Sequence, residues 1–235
     1  MIGLGAGLFA CSSDSSPAAA GGATMVDGSS AAGCAPAPFA QNPRSIAEVV
    51  RLVNTLEKPL ELPCFLAHLA GPLQMTASLS PTSAQPSFDR RSPRIFVFLD
   101  PLVFTVVPEG PGRGLLEFGE RRGDARSLKG EIEFPVASEL TPEAPFEHIV
   151  FNEQYSTCAF CHADETRAPD VPFARAFESV ALRPPDRAVV SVDELRSEVQ
   201  SCDAASDPYR CAMLHALFDR DAVIQRDFPE SYGTL

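Results

Sequence analysis

Cys158, Cys161 and His162 are the residues whose types and spacing speak most directly to chemistry. They form a strict C-x-x-C-H string, Cys158-Ala159-Phe160-Cys161-His162. Two thiols three positions apart can each add to a vinyl group on one porphyrin edge, and the adjacent imidazole can then ligate the iron. With seven Cys and four His among 235 residues, chance supplies such a string in well under roughly one chain in a hundred. Other uses of the pair are less well provided for. A zinc site normally takes four ligands with a second spaced pair, and none is visible. A thioredoxin-like pair needs a strand-to-helix setting in a βαβ unit, whereas the segments before Cys158 read as strands. A tight Cys158–Cys161 disulfide is the remaining alternative.

These five residues resemble the haem-attachment motif of c-type cytochromes, and the resemblance is confined to them and to a lipobox-like string near the N-terminus. It implies one haem c held by Cys158 and Cys161, with His162 as proximal ligand, and a role in electron transfer with a redox partner protein. The sixth ligand sets the chemistry: Met raises the potential, a second His lowers it, and an open position permits small-ligand or peroxide chemistry. Met213 follows His162 by 51 residues, a distance comparable with that in many cytochromes of the family, and is the first choice. His215 and then His148 come next. Family members usually carry an amphipathic helix before the motif and their Met in a loop. Here Phe146–Tyr155 reads as extended and Met213 as helical, so the C-terminal part is expected as a haem-binding appendage. A haem enzyme would want a second motif or a distal acid/base pair, and the chain has one motif only.

Cysteine usage agrees with an exported chain. Met1–Ala10 is apolar and built of small residues, like the end of a signal-peptide core. Leu8-Phe9-Ala10-Cys11 resembles the lipobox of bacterial lipoproteins, with Cys11 the lipidated residue. The Ser that follows Cys11 resembles sorting to the outer membrane, facing the periplasm or the cell surface. If Cys11 carries lipid and Cys158 and Cys161 carry haem, then Cys34, Cys64, Cys202 and Cys211 remain. Four cysteines allow three pairings, and neighbourhood favours Cys34–Cys64 and Cys202–Cys211, as expected in an oxidising compartment. Such a lipid would be the chain's membrane attachment, since no run of about 18 apolar residues exists to span a bilayer.

The elements that must position the motif divide the chain into four stretches: 1–11, a truncated signal peptide with lipobox; 12–33, a Ser/Ala/Gly linker; 34–151, a β-rich domain; and 152–235, a small, mostly helical, cytochrome c-like segment. Ser45–Leu56 has the apolar period of a helix, with Ser45 and Glu48 at capping-box spacing. After Gly71-Pro72 the period changes to two. Runs at 73–79, 94–99, 102–107, 115–118, 128–136 and 146–151 read as strands, separated by Gly/Pro/Asp turns. Along 128–136, Lys129, Glu131 and Glu133 fall opposite the apolar positions and read as a solvent face. Arg90, Arg91 and Arg94 read as a solvated turn, and 110–114 lacks the ending of a phosphate loop. Asp193–Cys202 and Pro208–Phe218 read as helices, the second with Asp207 as N-cap and Pro208 at its first position. The expected fold is α+β: an N-terminal helix with an antiparallel sandwich or open barrel, followed by the helical segment.

Composition narrows the partners. Net charge is −12, which disfavours nucleic acid and anionic membrane surfaces. Two functional classes remain: a lipoprotein carrying one haem c, or a cofactor-free, disulfide-stapled β-rich lipoprotein with a structural or binding role.

Overall fold

The computed structural model describes Cys34 and residues 42–234. Cys11 and the 12–33 linker lie outside the described residues. The first element, α1 (Ile46–Thr55), forms where the apolar stripe predicts, burying Ile46, Val49, Val50 and Val53. Its first turn is held from three sides. Ser45 Oγ accepts from Glu48 N at 3.2 Å, the Glu48 carboxylate reaches back to Arg44 N at 2.7 Å, and Glu120 accepts from Ile46 N at 2.9 Å. That last bond ties an otherwise unpaired helix N–H to the sheet. A short helix, α2 (Leu62–Leu66), follows.

Five strands then run as a meander: β1 (Leu73–Ser78), β2 (Arg94–Leu99), β3 (Leu102–Val106), β4 (Leu115–Arg122) and β5 (Arg126–Glu133), each antiparallel to the next. The β4–β5 turn contains Gly123 at φ 61°, a left-handed position that suits glycine. After β5 comes one helical turn, α3 (Ala144–Glu147), at the start of the stretch expected to be a sixth strand. His148 caps this turn, and only an isolated bridge between Val150 and Ser156 is extended. The reason is local: Pro145 sits at the first or second helical position, where its missing N–H costs nothing.

The C-terminal part departs most from expectation. Its strands are β6 (Thr166–Arg167), β7 (Phe177–Val180), β8 (Leu182–Arg183), β9 (Val189–Val190), β10 (Val223–Gln225) and β11 (Gly233–Thr234). Its helices are α4 (Val192–Gln200) and α5 (Pro208–Phe218). β7 pairs with β5, β6 with β7, and β9 and β10 with β1, giving one open sheet in the order β10-β1-β2-β3-β4-β5-β7-β6. The sheet does not close, and the C-terminal part is no separate helical cytochrome fold. A single core runs across residue 151, joining Ile46 and Phe65 to Leu195, Met213 and Leu214.

Both disulfides form as neighbourhood predicts. Cys34–Cys64 spans 5.2 Å between Cα atoms and Cys202–Cys211 spans 5.6 Å. The second links the end of α4 to α5. Ser191 and Glu194 make a full capping box on α4, while Asp207 makes no side-chain cap on α5 and pairs with Arg91 instead.

One face of the sheet presents Met75, Val97, Phe104 and Phe118, in register across β1 to β4, and Leu116 paired with Ile132 to the helical layer. Phe65 of α2 packs against Phe104 and Phe134, with ring centroids 6.2 and 5.8 Å apart. The opposite face is also covered, by residues 149–162 and by Phe228 and Tyr232. The functional residues gather under that cover.

Candidate functional site

The floor of the site is built by alternation. On β2 to β5, the residues that point away from the helices are Arg94 and Phe96, Thr105, Glu117 and Gly119, and Ser127, Lys129 and Glu131. They line an open-mouthed cleft with a volume of about 160 Å³. Lys129 and Glu131, expected on a solvent face, are only 6% and 7% exposed. Arg94, expected in a solvated turn, pairs closely with Glu117 and donates to Thr105 Oγ1 at 2.9 Å. Behind it, Gln85 donates from Nε2 to Thr105 O (2.9 Å) and Leu115 O (2.7 Å) and accepts from Thr105 Oγ1 (2.5 Å). Gln85 can tuck in because residue 112 is glycine: a Cβ there would lie 2.6 Å from Ala84 O.

The motif forms the roof. Thr157–Phe160 is one 3-10 turn, held at its start by Ser156, whose Oγ accepts from Cys158 N at 3.1 Å. Glu165 clasps the same serine from beyond the motif, accepting from Ser156 N (2.6 Å) and Ser156 Oγ (2.7 Å). Between them Asp164 takes φ 55°, a left-handed position that Asp tolerates better than most residues. His162 N donates to Cys158 O at 2.8 Å. The turn therefore gives the two sulfurs different surroundings. Cys161 is exposed, whereas burial pushes the Cys158 thiol up to about 11, against the opposing pull of the Lys129 ammonium. Neither cysteine is bridged.

His162 Nδ1 lies 2.8 Å from Val180 O on β7. A carbonyl only accepts, so the neutral imidazole carries its proton on Nδ1 and keeps its lone pair on Nε2. Nε2 makes no hydrogen bond among the described residues. Burial first, and the Lys129 ammonium second, lower this histidine to about 4, so it is neutral at pH 7. The outer side of the motif is aromatic: Phe160 and Phe151 meet edge to face at 4.9 Å, and both are exposed, with Tyr155 close by in sequence.

The other candidate ligands are elsewhere. Met213 is fully buried in the apolar core on α5, which packs on α2 and α4, and it does not line the cleft. Its stripe position serves packing, as methionine on a helical stripe usually does. His215 lies on the same helix and bonds to Asp219 at 3.0 Å. His148 is taken up by Glu131 (2.7 Å) and Glu133 (3.3 Å). His162 is the only His, and there is no Met, among the described residues that line the cleft. Among the described residues, no three His, Cys, Asp or Glu side chains converge as a metal ion would require.

Sequence reasoning missed Arg94, Glu117, Lys129 and Glu131. One signal pointed to them: β2 reads Ile95-Phe96-Val97-Phe98-Leu99, apolar on both faces, the mark of a strand covered twice. No protein-family model, curated protein or solved structure matches the chain. Site geometry alone thus carries the functional reading.

Proposed function

We propose that the chain is an exported lipoprotein that carries one haem c and serves in electron transfer. Cys158 and Cys161 would hold the porphyrin through thioether bonds, and His162 would ligate the iron through Nε2. The observation that carries this reading is the state of the three side chains. Two unbridged thiols lie within and at the end of one 3-10 turn, and the next residue is a neutral imidazole whose Nδ1–H is committed to a backbone carbonyl. A backbone hydrogen bond of this kind fixes ring orientation and tautomer in metal-ligating histidines. The donor set thus fits a haem in type. The cleft, about 160 Å³, is too small to enclose a porphyrin, and the exposed Phe151, Tyr155 and Phe160 offer apolar surface outside it.

When bound, the haem supplies one-electron redox chemistry. The chain's own contribution is narrower. The Val180 carbonyl orients His162, the Glu165 clasp on Ser156 sets the turn that spaces the sulfurs, and burial, with Lys129 second, keeps the imidazole unprotonated. The two disulfides agree with an oxidising compartment, and lipidation at Cys11 remains part of the proposal. So does the absence of an enzymatic role.

The test is export from a host with a haem c maturation system, followed by a pyridine haemochrome spectrum. Covalent haem is expected in the native chain and its loss in the Cys158→Ala/Cys161→Ala double variant. Absence of a Soret band after maturation-competent export overturns the reading and leaves a disulfide-stapled binding protein.

A further inference from the structure

We infer that the cleft beneath the motif binds a small monocarboxylate with an apolar body, its carboxylate taking the ammonium of Lys129 as counter-ion. The inference goes beyond haem attachment and does not depend on it.

The charges of the cleft account for themselves in pairs, with one left over. Arg94 is neutralised by Glu117, and Glu131 is hydrogen-bonded to His148, a contact that favours the charged imidazole. Lys129 has no carboxylate within ion-pair distance among the described residues. Its Nζ donates to Ser127 Oγ at 2.6 Å, and its other neighbour is His162 Nδ1 at 3.4 Å, whose proton already goes to Val180 O. A buried ammonium without a counter-ion is costly to keep, and buried charges are ordinarily paired. The space for a counter-ion is present. Gly119 stands opposite Lys129 in the β4–β5 register and adds no side chain there. Arg94 Nε is a second buried donor with no partner.

Size and lining specify the rest of the ligand. The volume of about 160 Å³ is close to that of a cavity known to admit one benzene ring, ~150 Å³. Phe96, Ile149, Phe228 and Tyr232 supply apolar walls, with Phe96 and Phe228 edge to face at 4.9 Å. One unpaired positive charge calls for one negative charge, and apolar walls call for a hydrocarbon body. Inorganic phosphate supplies negative charge and no hydrocarbon body.

The test uses the full chain with its disulfides formed, produced without haem maturation, and titrated with benzoate and its neutral analogue benzamide by calorimetry. Benzoate is expected to bind at least about tenfold more tightly at pH 7, and the preference should vanish in Lys129→Met. A second arm needs no variant: inorganic phosphate, an anion without an apolar body, should compete poorly with benzoate. Equal binding of benzoate and benzamide, no binding of either, or a benzoate preference that survives Lys129→Met overturns the inference. Competition by phosphate as strong as by benzoate would mark a bare anion site and overturn it too. A missing haemochrome leaves all of these outcomes unaffected.

Discussion

On the helix side of the sheet, Met75, Val97, Phe104, Phe118 and Ile132 meet the apolar faces of α1, α2, α4 and α5. On the other side, Arg94, Thr105, Glu117, Lys129 and Glu131 meet a roof of loop and a single 3-10 turn. Both faces are buried, yet they are stabilised by different means. The helix side gains from removing apolar area from water, about 25 cal/mol per Å², and needs no particular partner for any atom. The motif side must satisfy each polar group individually, because an unpaired buried donor or charge costs more than its bond returns. Packing thus holds the first face together, while the second depends on a few specific pairings and has one charge to spare. Function belongs on that second face.

The sharpest way to separate the faces is to cut a large side chain from the first. Phe104→Ala should lower unfolding free energy by about 3–5 kcal/mol in a urea titration, since Phe104 is fully buried against Phe65. Truncation on the motif side should behave in the opposite sense. Lys129 is held at about 8 against an ordinary 10.5, so the unfolded chain binds the extra proton between these values. Stability should therefore rise with pH across that window, by about 3 kcal/mol. Lys129→Met should abolish the rise and stabilise the protein at pH 7, as replacement of buried charge by a matched apolar group often does. A urea series from about pH 7 to 10.5 on both proteins reads this directly. His162 gives a second window of the same sign. Its folded value of about 4 lies below the ordinary 6.5, so stability should fall as pH drops between them.

A smaller effect tests the pairing rule itself. His148→Ala leaves the carboxylate of Glu131, 7% exposed, without its 2.7 Å partner. It should cost on the order of 1 kcal/mol, discounted because the imidazole is itself partly exposed. Glu131→Gln in the same background should recover part of that loss. Finally, the two thiols should differ in rate without any change in stability. In haem-free protein, iodoacetamide should alkylate the exposed Cys161 first, and the half-buried Cys158, its thiol pushed up to about 11, more than about tenfold more slowly. Mass spectrometry of timed digests distinguishes them.

Much of the helix side was legible in the sequence because its signals are local. The stripe of α1, the alternation of β1, the apolar runs of β2 and β3, the Pro at the start of α5 and the pairing of Cys202 with Cys211 each need only about a dozen residues of context. The C-terminal strands were not legible. β6, β8, β9 and β11 are two residues long, and β10 finds its partner, β1, about 150 residues away. No periodicity exists in so short a run, and the pairing is decided by tertiary contact. Met213 shows a related ambiguity, because the same helical stripe suits a core residue and a ligand equally. Lys129 and Glu131 mark a third limit. Alternation says which residues share a face, and it does not say whether water or protein covers that face.

The unequal placement of the two sulfurs has a consequence for order of assembly. In the folded chain Cys161 is at the surface, while Cys158 lies beneath a turn closed by Glu165 and Ser156 and backed by Lys129. Under the proposed function, the half-buried Cys158 would be easiest to reach while residues 156–165 are still open, and the Glu165 clasp on Ser156 would close the turn afterwards. For such a chain, the interval between export and closure is the time available for maturation.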